Sequence, residues 1–123
     1  MIRMLIADDH PIVSQRIKQL LLEEFPTAFF SIANDTDSLI KEAHDSEWDI
    51  VISDLVMPGG GGLHALKKIK EEKPSLPVII MSIYPEEQYT LRAIRDGAAA
   101  FINKNSADGE LVVTVKRILT ENK

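Results

Sequence analysis

The sequence predicts one α/β domain: a five-stranded parallel sheet with helices on both faces. Its 123 residues suit a single compact domain. Hydrophobic residues make up 45% and charged residues 27%, an ordinary balance for a globular protein. Five short apolar runs alternate with five stretches of helical spacing. This alternation is typical of parallel strands joined by right-handed helical crossovers.

The first unit begins with a nearly continuous apolar run, which predicts a strand buried on both faces. This strand ends at Ala7, before Asp8 and Asp9. Pro11 suits the first turn of the helix that follows, and Pro26 ends that helix. Residues at helical spacing predict its inward face: Ile12, Ile17, Leu20, Leu21 and Phe25.

The second and third units follow the same plan. Residues 29–33 form the second strand, and Asn34 or Asp35 caps the helix after it. Residues 49–54 form the third strand, and the Pro58–Gly62 segment predicts a loop. The inward faces of the two helices are predicted to be Leu39, Ile40 and Ala43, then Leu63, Leu66 and Ile69.

The last two units complete the sheet. Residues 76–82 form the fourth strand, and residues 86–95 form a helix that Gly97 ends. Residues 98–102 form the fifth strand, and Ser106 or Asp108 caps the last helix. The inward faces are predicted to be Leu91, Ala93 and Ile94, then Leu111, Val112, Val115, Ile118 and Leu119.

Composition excludes several classes of function. A formal net charge of −5 disfavours general binding to nucleic acid or anionic membranes. The absence of cysteine excludes disulfide scaffolds, zinc–thiolate sites and cysteine nucleophiles. No apolar run approaches the roughly 20 residues that span a membrane, and the first residues are not a secretory signal. We therefore expect a cytoplasmic protein with no membrane partner.

Polar residues stand where the predicted strands end. Asp8 and Asp9 follow the first strand, and Asp54 ends the third. Ligands of such sheets bind outside the carboxyl ends of the strands. Two like charges about 4 Å apart repel by roughly 4 kcal/mol, so converging acids indicate a bound cation or shifted pKa values. Oxygen ligands favour Mg²⁺ before Ca²⁺. The alternative is that these acids are turn or cap residues, with Asp9 capping the first helix.

Other side chains lie at the same predicted edge. Lys104 follows the fifth strand and could neutralise the acids or hold a phosphate, or it could simply be solvated. Ser82 ends the fourth strand and could donate to the same anion, or cap a helix. Tyr84 could overhang the site, or be a hydrophobic rim residue. His10 lies near the acids, but a solvated residue at a helix start is the favoured interpretation.

Together these residues resemble the receiver domain of bacterial two-component response regulators, over essentially the whole chain. The resemblance rests on the acid pair, the segment 53–59, Ser82 and Lys104. The segments 8–11 and 93–98 resemble the subgroup of nitrate-response and nodulation regulators. The resemblance implies a sheet order of 2-1-3-4-5 and a receiver domain over residues 1–123. The chain could be a single-domain regulator, but the subgroup resemblance favours a C-terminal LuxR-type helix-turn-helix domain that is missing from this chain.

The resemblance implies a role for each acid. Asp54 would accept a phosphoryl group from the phosphohistidine of a sensor histidine kinase. Asp8 and Asp9 would hold Mg²⁺, with Asp54 and the backbone carbonyl of Val56 as further ligands. The domain would not be an enzyme of ordinary turnover, although it would promote its own phosphorylation and dephosphorylation.

Three further residues would carry the response. Lys104 would pair with the phosphoryl group, Ser82 would hydrogen-bond one of its oxygens, and Phe101 would change rotamer. The fourth helix, fifth strand and fifth helix would form the surface that changes. Phosphorylation would favour a homodimer, and DNA would be bound only through the missing output domain.

Two departures from the family pattern keep other functions open. Asn105 stands where the family usually has proline, which leaves open whether the Lys104–Asn105 peptide is cis. The four glycines at 59–62 predict a loop that is mobile without a ligand. A degenerate receiver that serves for docking is therefore one alternative. An aspartyl-nucleophile phosphatase or phosphotransferase is another, but Val56 stands where such enzymes have a second acid.

Overall fold

The computed structural model describes residues 1–83, 87–104 and 107–121. Strands and helices alternate along the chain as the sequence predicts. The elements are β1 (Arg3–Ala7), α1 (Pro11–Glu24), β2 (Phe29–Ala33), α2 (Thr36–Asp45), β3 (Ile50–Asp54), α3 (Gly61–Glu72), β4 (Val78–Ser82), α4 (Glu87–Arg95), β5 (Ala100–Asn103) and α5 (Ala107–Glu121).

The five strands form one parallel sheet in the order β2-β1-β3-β4-β5, so the predicted fold is confirmed. The central pair β1 and β3 places Ala7 beside Ser53. The residues that follow these two, Asp8 and Asp54, therefore reach the same edge of the sheet. Because all strands run in one direction, the ends of β4 and β5 reach that edge too.

The sheet is buried on both faces because successive side chains of a strand point to opposite sides. Leu5 packs into the layer that holds Leu39 of α2 and Leu66 of α3. Its neighbours Met4 and Ile6 pack into the other layer, which lies against α1 and α5. This two-sided burial explains why the strands are continuously apolar rather than alternating.

For three residues the prediction of a buried position is wrong. Ile12 is 85% exposed, Leu91 is 62% exposed and Ile94 is 51% exposed. Each residue turns a helix by about 100°, so the arc that faces the sheet decides burial. In α1 that arc passes through Ser14 and Ile17, and in α4 it passes through Ala93.

Helix ends agree with the sequence in part. Asp35 caps α2 by accepting a hydrogen bond from the backbone N–H of Ser38, at 2.7 Å. Gly97 follows α4 with a φ of +104°, as expected for a helix-ending glycine. The N-cap of α1 is His10 rather than Asp9. The predicted caps of α5, Ser106 and the side chain of Asp108, lie outside the described residues.

Candidate functional site

The site is built from residues at the ends of β1, β3 and β5. Lys104 Nζ donates to Asp8 Oδ2 at 2.8 Å and lies 3.1 Å from Asp54 Oδ2. Asp8 is only 1% exposed and Asp54 only 8% exposed. The chain thus brings together three charged groups that are 46 to 96 residues apart in sequence. The predicted convergence of Asp8, Asp54 and Lys104 is observed.

Asp9 and His10 complete the acidic side of the site. One atom from each of Asp8, Asp9, His10 and Asp54 lies within 4.8 Å of the others. The backbone N–H of His10 donates to Asp8 Oδ1 at 2.9 Å, which holds this turn against the buried carboxylate. Asp9 Oδ1 is buried, and no described group makes a hydrogen bond to it.

The charges at the site are coupled. Burial raises the pKa of Asp54, and the nearby Asp8 adds to that rise, while Lys104 and the backbone N–H of Val56 oppose it. Burial alone would lower the pKa of Lys104, but its bonds to Asp8 and Asp54 outweigh burial and raise it. The three carboxylates of the cluster and one lysine leave an excess of negative charge, which a cation would offset.

A cavity of about 300 Å³ opens over these groups. Val56 and Ile83 line it on the side of β3 and β4, and Val13 lines it on the side of α1. Ser82 also lines the cavity and is buried, and its bond to a phosphoryl oxygen stays a prediction. The volume is ample for a phosphoryl group and its water.

Two other predicted site residues, Phe101 and Tyr84, are not among the described residues that line the cavity. Phe101 is on β5, partly buried against the core layer under α2, α3 and α4, and it is not among the described residues that line the cavity. Tyr84 lies outside the described residues, as does Asn105. Their predicted roles therefore stay predictions.

The glycine run next to Asp54 has a packing role that the sequence did not reveal. The predicted loop 58–62 is shorter than expected because α3 begins at Gly61. A Cβ atom on Gly62 would lie 2.3 Å from the carbonyl oxygen of Asp54. The Gly61 N–H donates to the buried hydroxyl of Thr36 at 2.9 Å, and the Gly62 N–H donates to the carbonyl of Leu55 at 2.8 Å. These contacts fix the backbone that follows Asp54.

The donor set of the cavity fits a hard divalent cation. Three carboxylates present oxygen ligands, which Mg²⁺ prefers. The buried and unpartnered Asp9 Oδ1 is the atom that most needs such a partner, because an unsatisfied buried carboxylate oxygen is costly. The residues present therefore suit Mg²⁺.

The fold is a doubly wound α/β domain with buried carboxylates and a lysine at the carboxyl edge of its sheet, where ligands of such folds bind. The sequence model of the response regulator receiver domain family matches residues 4–116. The chain belongs to that family. It is a receiver domain of the two-component response regulators, and its function is in signalling.

Known proteins of the family are similar over nearly the whole chain. The glycerol metabolism activator of Pseudomonas putida is 36% identical over 99% of this chain and 56% of its own length. A LuxR-family two-component response regulator from Aurantimonas sp. is 29% identical, with a TM-score of 0.88 over 97% of this chain and 85% of that one. The response regulator TrrA of Thermotoga maritima, solved in complex with Mg²⁺ and BeF, is 27% identical. Its TM-score is 0.86 over 96% of this chain and 99% of that one.

The chain spans about half the length of the curated relatives it matches. Among the residues that the structure describes, no helix has both the length and the apolar character to cross a membrane.

Proposed function

We propose that this domain accepts a phosphoryl group on Asp54 and passes the change to an output domain. The observation that carries the proposal is the meeting of Asp8, Asp9, Asp54 and Lys104 at one cavity. Asp54 lines this cavity, so its carboxylate is open to a donor even though most of the residue is buried. Asp8 contacts Lys104 but is not among the described residues that line the cavity. Asp9 lines the cavity but makes no described contact with Lys104.

The reaction follows from the positions of these groups. An oxygen of Asp54 attacks phosphorus, the bond from phosphorus to the imidazole nitrogen of the kinase breaks, and an acyl phosphate forms. Lys104 Nζ, already 3.1 Å from Asp54 Oδ2, stabilises the charge on the transferred oxygens. Bound Mg²⁺ would add positive charge at the same oxygens. Asp8, Asp9 and Asp54 would hold it, with the carbonyl of Val56.

The same groups would also serve hydrolysis, in which water attacks phosphorus, the bond to the Asp54 oxygen breaks and inorganic phosphate leaves, so the domain would promote its own dephosphorylation. The cavity admits water beside Asp54, which hydrolysis of the acyl phosphate requires. We therefore propose a signalling phosphoacceptor rather than an enzyme of ordinary turnover.

The modified site would act on its surroundings through Ser82 and Phe101. A phosphoryl group adds charge and acceptor oxygens, which draw in hydrogen-bond donors. Ser82 ends β4 at the cavity, and Phe101 is paired in register with Ile80 of that strand. A shift of Ser82 toward the phosphoryl group would thus be felt at β5 and at the partly buried Phe101.

The partners follow from the class of protein. A sensor histidine kinase would supply the phosphoryl group, and phosphorylation would favour a homodimer. Because the chain spans about half of its curated relatives, we propose that residues 1–123 are the receiver part of a longer transcription regulator. A C-terminal helix-turn-helix domain would then carry DNA binding.

A phosphodonor experiment tests the assignment of Asp54. The domain is incubated with Mg²⁺ and acetyl phosphate, and intact mass and peptide mapping locate any modification. We expect one phosphoryl group on Asp54, none in the Asp54→Asn variant, and a sharp loss when a chelator removes Mg²⁺.

The matched control is Asp37→Asn, which neutralises an exposed acid in the first turn of α2. This variant should be modified like the wild type. A phosphoryl group at another residue, or equal labelling of Asp54→Asn, would overturn the proposal.

A further inference from the structure

His10 brings an imidazole nitrogen to a cluster whose other candidate metal ligands are carboxylate oxygens. Its ring is 68% exposed, so most of it faces solvent. Nevertheless, its Nδ1 atom lies 3.1 Å from Asp9 Oδ1 and 3.2 Å from Asp8 Oδ1. The contact between the His10 backbone N–H and Asp8 Oδ1 keeps the residue at this position.

The spacing of these atoms suits a shared cation. Neighbouring ligands of an octahedral ion with bonds of about 2.1 Å are about 3.0 Å apart. The two separations from Nδ1 are close to this value. The approach to Asp9 Oδ1 is also not a hydrogen bond, because that buried oxygen has no hydrogen-bond partner among the described residues. Nδ1 is within hydrogen-bond distance of Asp8 Oδ1, at 3.2 Å, whereas Nδ1 and Asp9 Oδ1 face each other without a hydrogen bond.

We propose that His10 Nδ1 is a direct ligand of the bound cation and shifts the site toward first-row transition metals. This inference rests on the metal site of the proposed function and deepens it. Imidazole is a favoured ligand of Co²⁺, Ni²⁺ and Zn²⁺, whereas Mg²⁺ prefers oxygen and retains water. His10 therefore adds affinity for the first group and little for Mg²⁺.

The other two histidines provide matched controls. His44 lies in the last turn of α2 and contacts Glu72, and His64 lies in α3 beside Gly60. Both are exposed imidazoles away from the acid cluster. Either could bind a transition metal adventitiously, so each must be tested beside His10.

The experiment measures Co²⁺ and Mg²⁺ binding separately by titration calorimetry at one neutral pH. The proteins are the wild type, His10→Ala, His10→Gln, His44→Ala and His64→Ala, each checked for folding by circular dichroism. Visible absorption of bound Co²⁺ reports whether a nitrogen ligand is lost. Metal binding that is lost in the Asp9→Asn variant is binding at this site.

We expect both His10 variants to lose about tenfold in Co²⁺ affinity and less than about twofold in Mg²⁺ affinity. Their Co²⁺ spectra should change, while those of His44→Ala and His64→Ala should not. An unchanged ratio of Co²⁺ to Mg²⁺ affinity in the His10 variants would overturn the role of His10 and leave the proposed function intact. Dependence of Co²⁺ binding on His44 or His64 instead would do the same. Failure of Mg²⁺ to bind, or Mg²⁺ binding that survives Asp9→Asn, would overturn the metal site itself.

Discussion

At the scale of single residues, the site holds buried carboxylates that do not stabilise the fold. Asp54 is almost fully buried, and burial raises its pKa above the ordinary value of 3.8. Its neighbour Asp8 is buried as well, and Lys104 offsets the two charges directly. Such an arrangement costs stability and is typical of functional sites.

The Asp54→Asn variant should be more stable than the wild type at neutral pH, by about 1 kcal/mol. The raised pKa means that the folded wild type loses stability as pH rises from 3.8 through the pKa of the folded state. Asparagine carries no charge and avoids this loss. Urea unfolding across this pH range should show a gap that opens with rising pH and then stays constant. A gap that is absent at neutral pH would contradict the prediction.

The Lys104→Ala variant should be less stable by about 3 kcal/mol at neutral pH, since it leaves two buried carboxylates without their cation. The raised pKa of Lys104 means that its contribution is present below 10.5 and is lost as pH rises through the pKa of the folded state. Urea unfolding at neutral and strongly alkaline pH measures both effects. Lys68→Ala, at an exposed position of α3, should change little. Equal losses in the two variants would be contrary to expectation.

At the scale of elements, the connection from β3 to α3 is the part that most depends on close packing. Gly61 has a φ of +85°, and Gly62 approaches the backbone of Asp54. The four glycines predicted a mobile loop, but the structure shows two of them within α3 and tied to Thr36 and Leu55. Because these glycines have no side chain, the start of α3 can pack directly against the end of β3.

The Gly62→Ala variant should therefore lose several kcal/mol of stability, because its Cβ would lie 2.3 Å from the carbonyl oxygen of Asp54. It should also accept phosphate more slowly, since the backbone beside Asp54 must move. The matched control is Gly109→Ala in α5, where nothing lies within 4 Å of an added Cβ. That variant should gain about 0.5–1 kcal/mol from helix propensity. Thermal unfolding of both variants provides the comparison, and a stable Gly62→Ala would show that the contact is relieved cheaply.

At the scale of the whole molecule, the sheet joins the site to a distant surface. Ser82 and Phe101, the residues that we propose respond to phosphorylation, belong to neighbouring strands β4 and β5. α4 packs against β5, and both Leu91 and Ile94 of α4 remain exposed. A change at the cavity can thus reach α4 and β5.

Beryllofluoride with Mg²⁺ should imitate the phosphoryl group and strengthen self-association of the domain. The added charge at Asp54 would bias the surface around α4, β5 and α5 toward its active form. Light scattering after size exclusion should show an increase in mass with beryllofluoride. The Asp54→Asn variant should stay at its starting mass, and an equal increase in that variant would separate association from the site.

The sequence by itself determined the order of the elements and the chemistry at the strand ends. The apolar strands can be read locally, because burial on both faces of a sheet requires continuous apolar runs. The polar residues that end them, Asp8, Asp54 and Ser82, can be read from the sequence in the same way. The residue pattern did not show that β1 and β3 are neighbours; the family resemblance implied it, and the tertiary structure shows it and brings Asp8 and Asp54 to one lysine. The tertiary structure also decided the exposure of Ile12, the packing of Gly62 and the position of the His10 ring. These depend on the angle at which each helix meets the sheet, and contacts between distant segments set that angle.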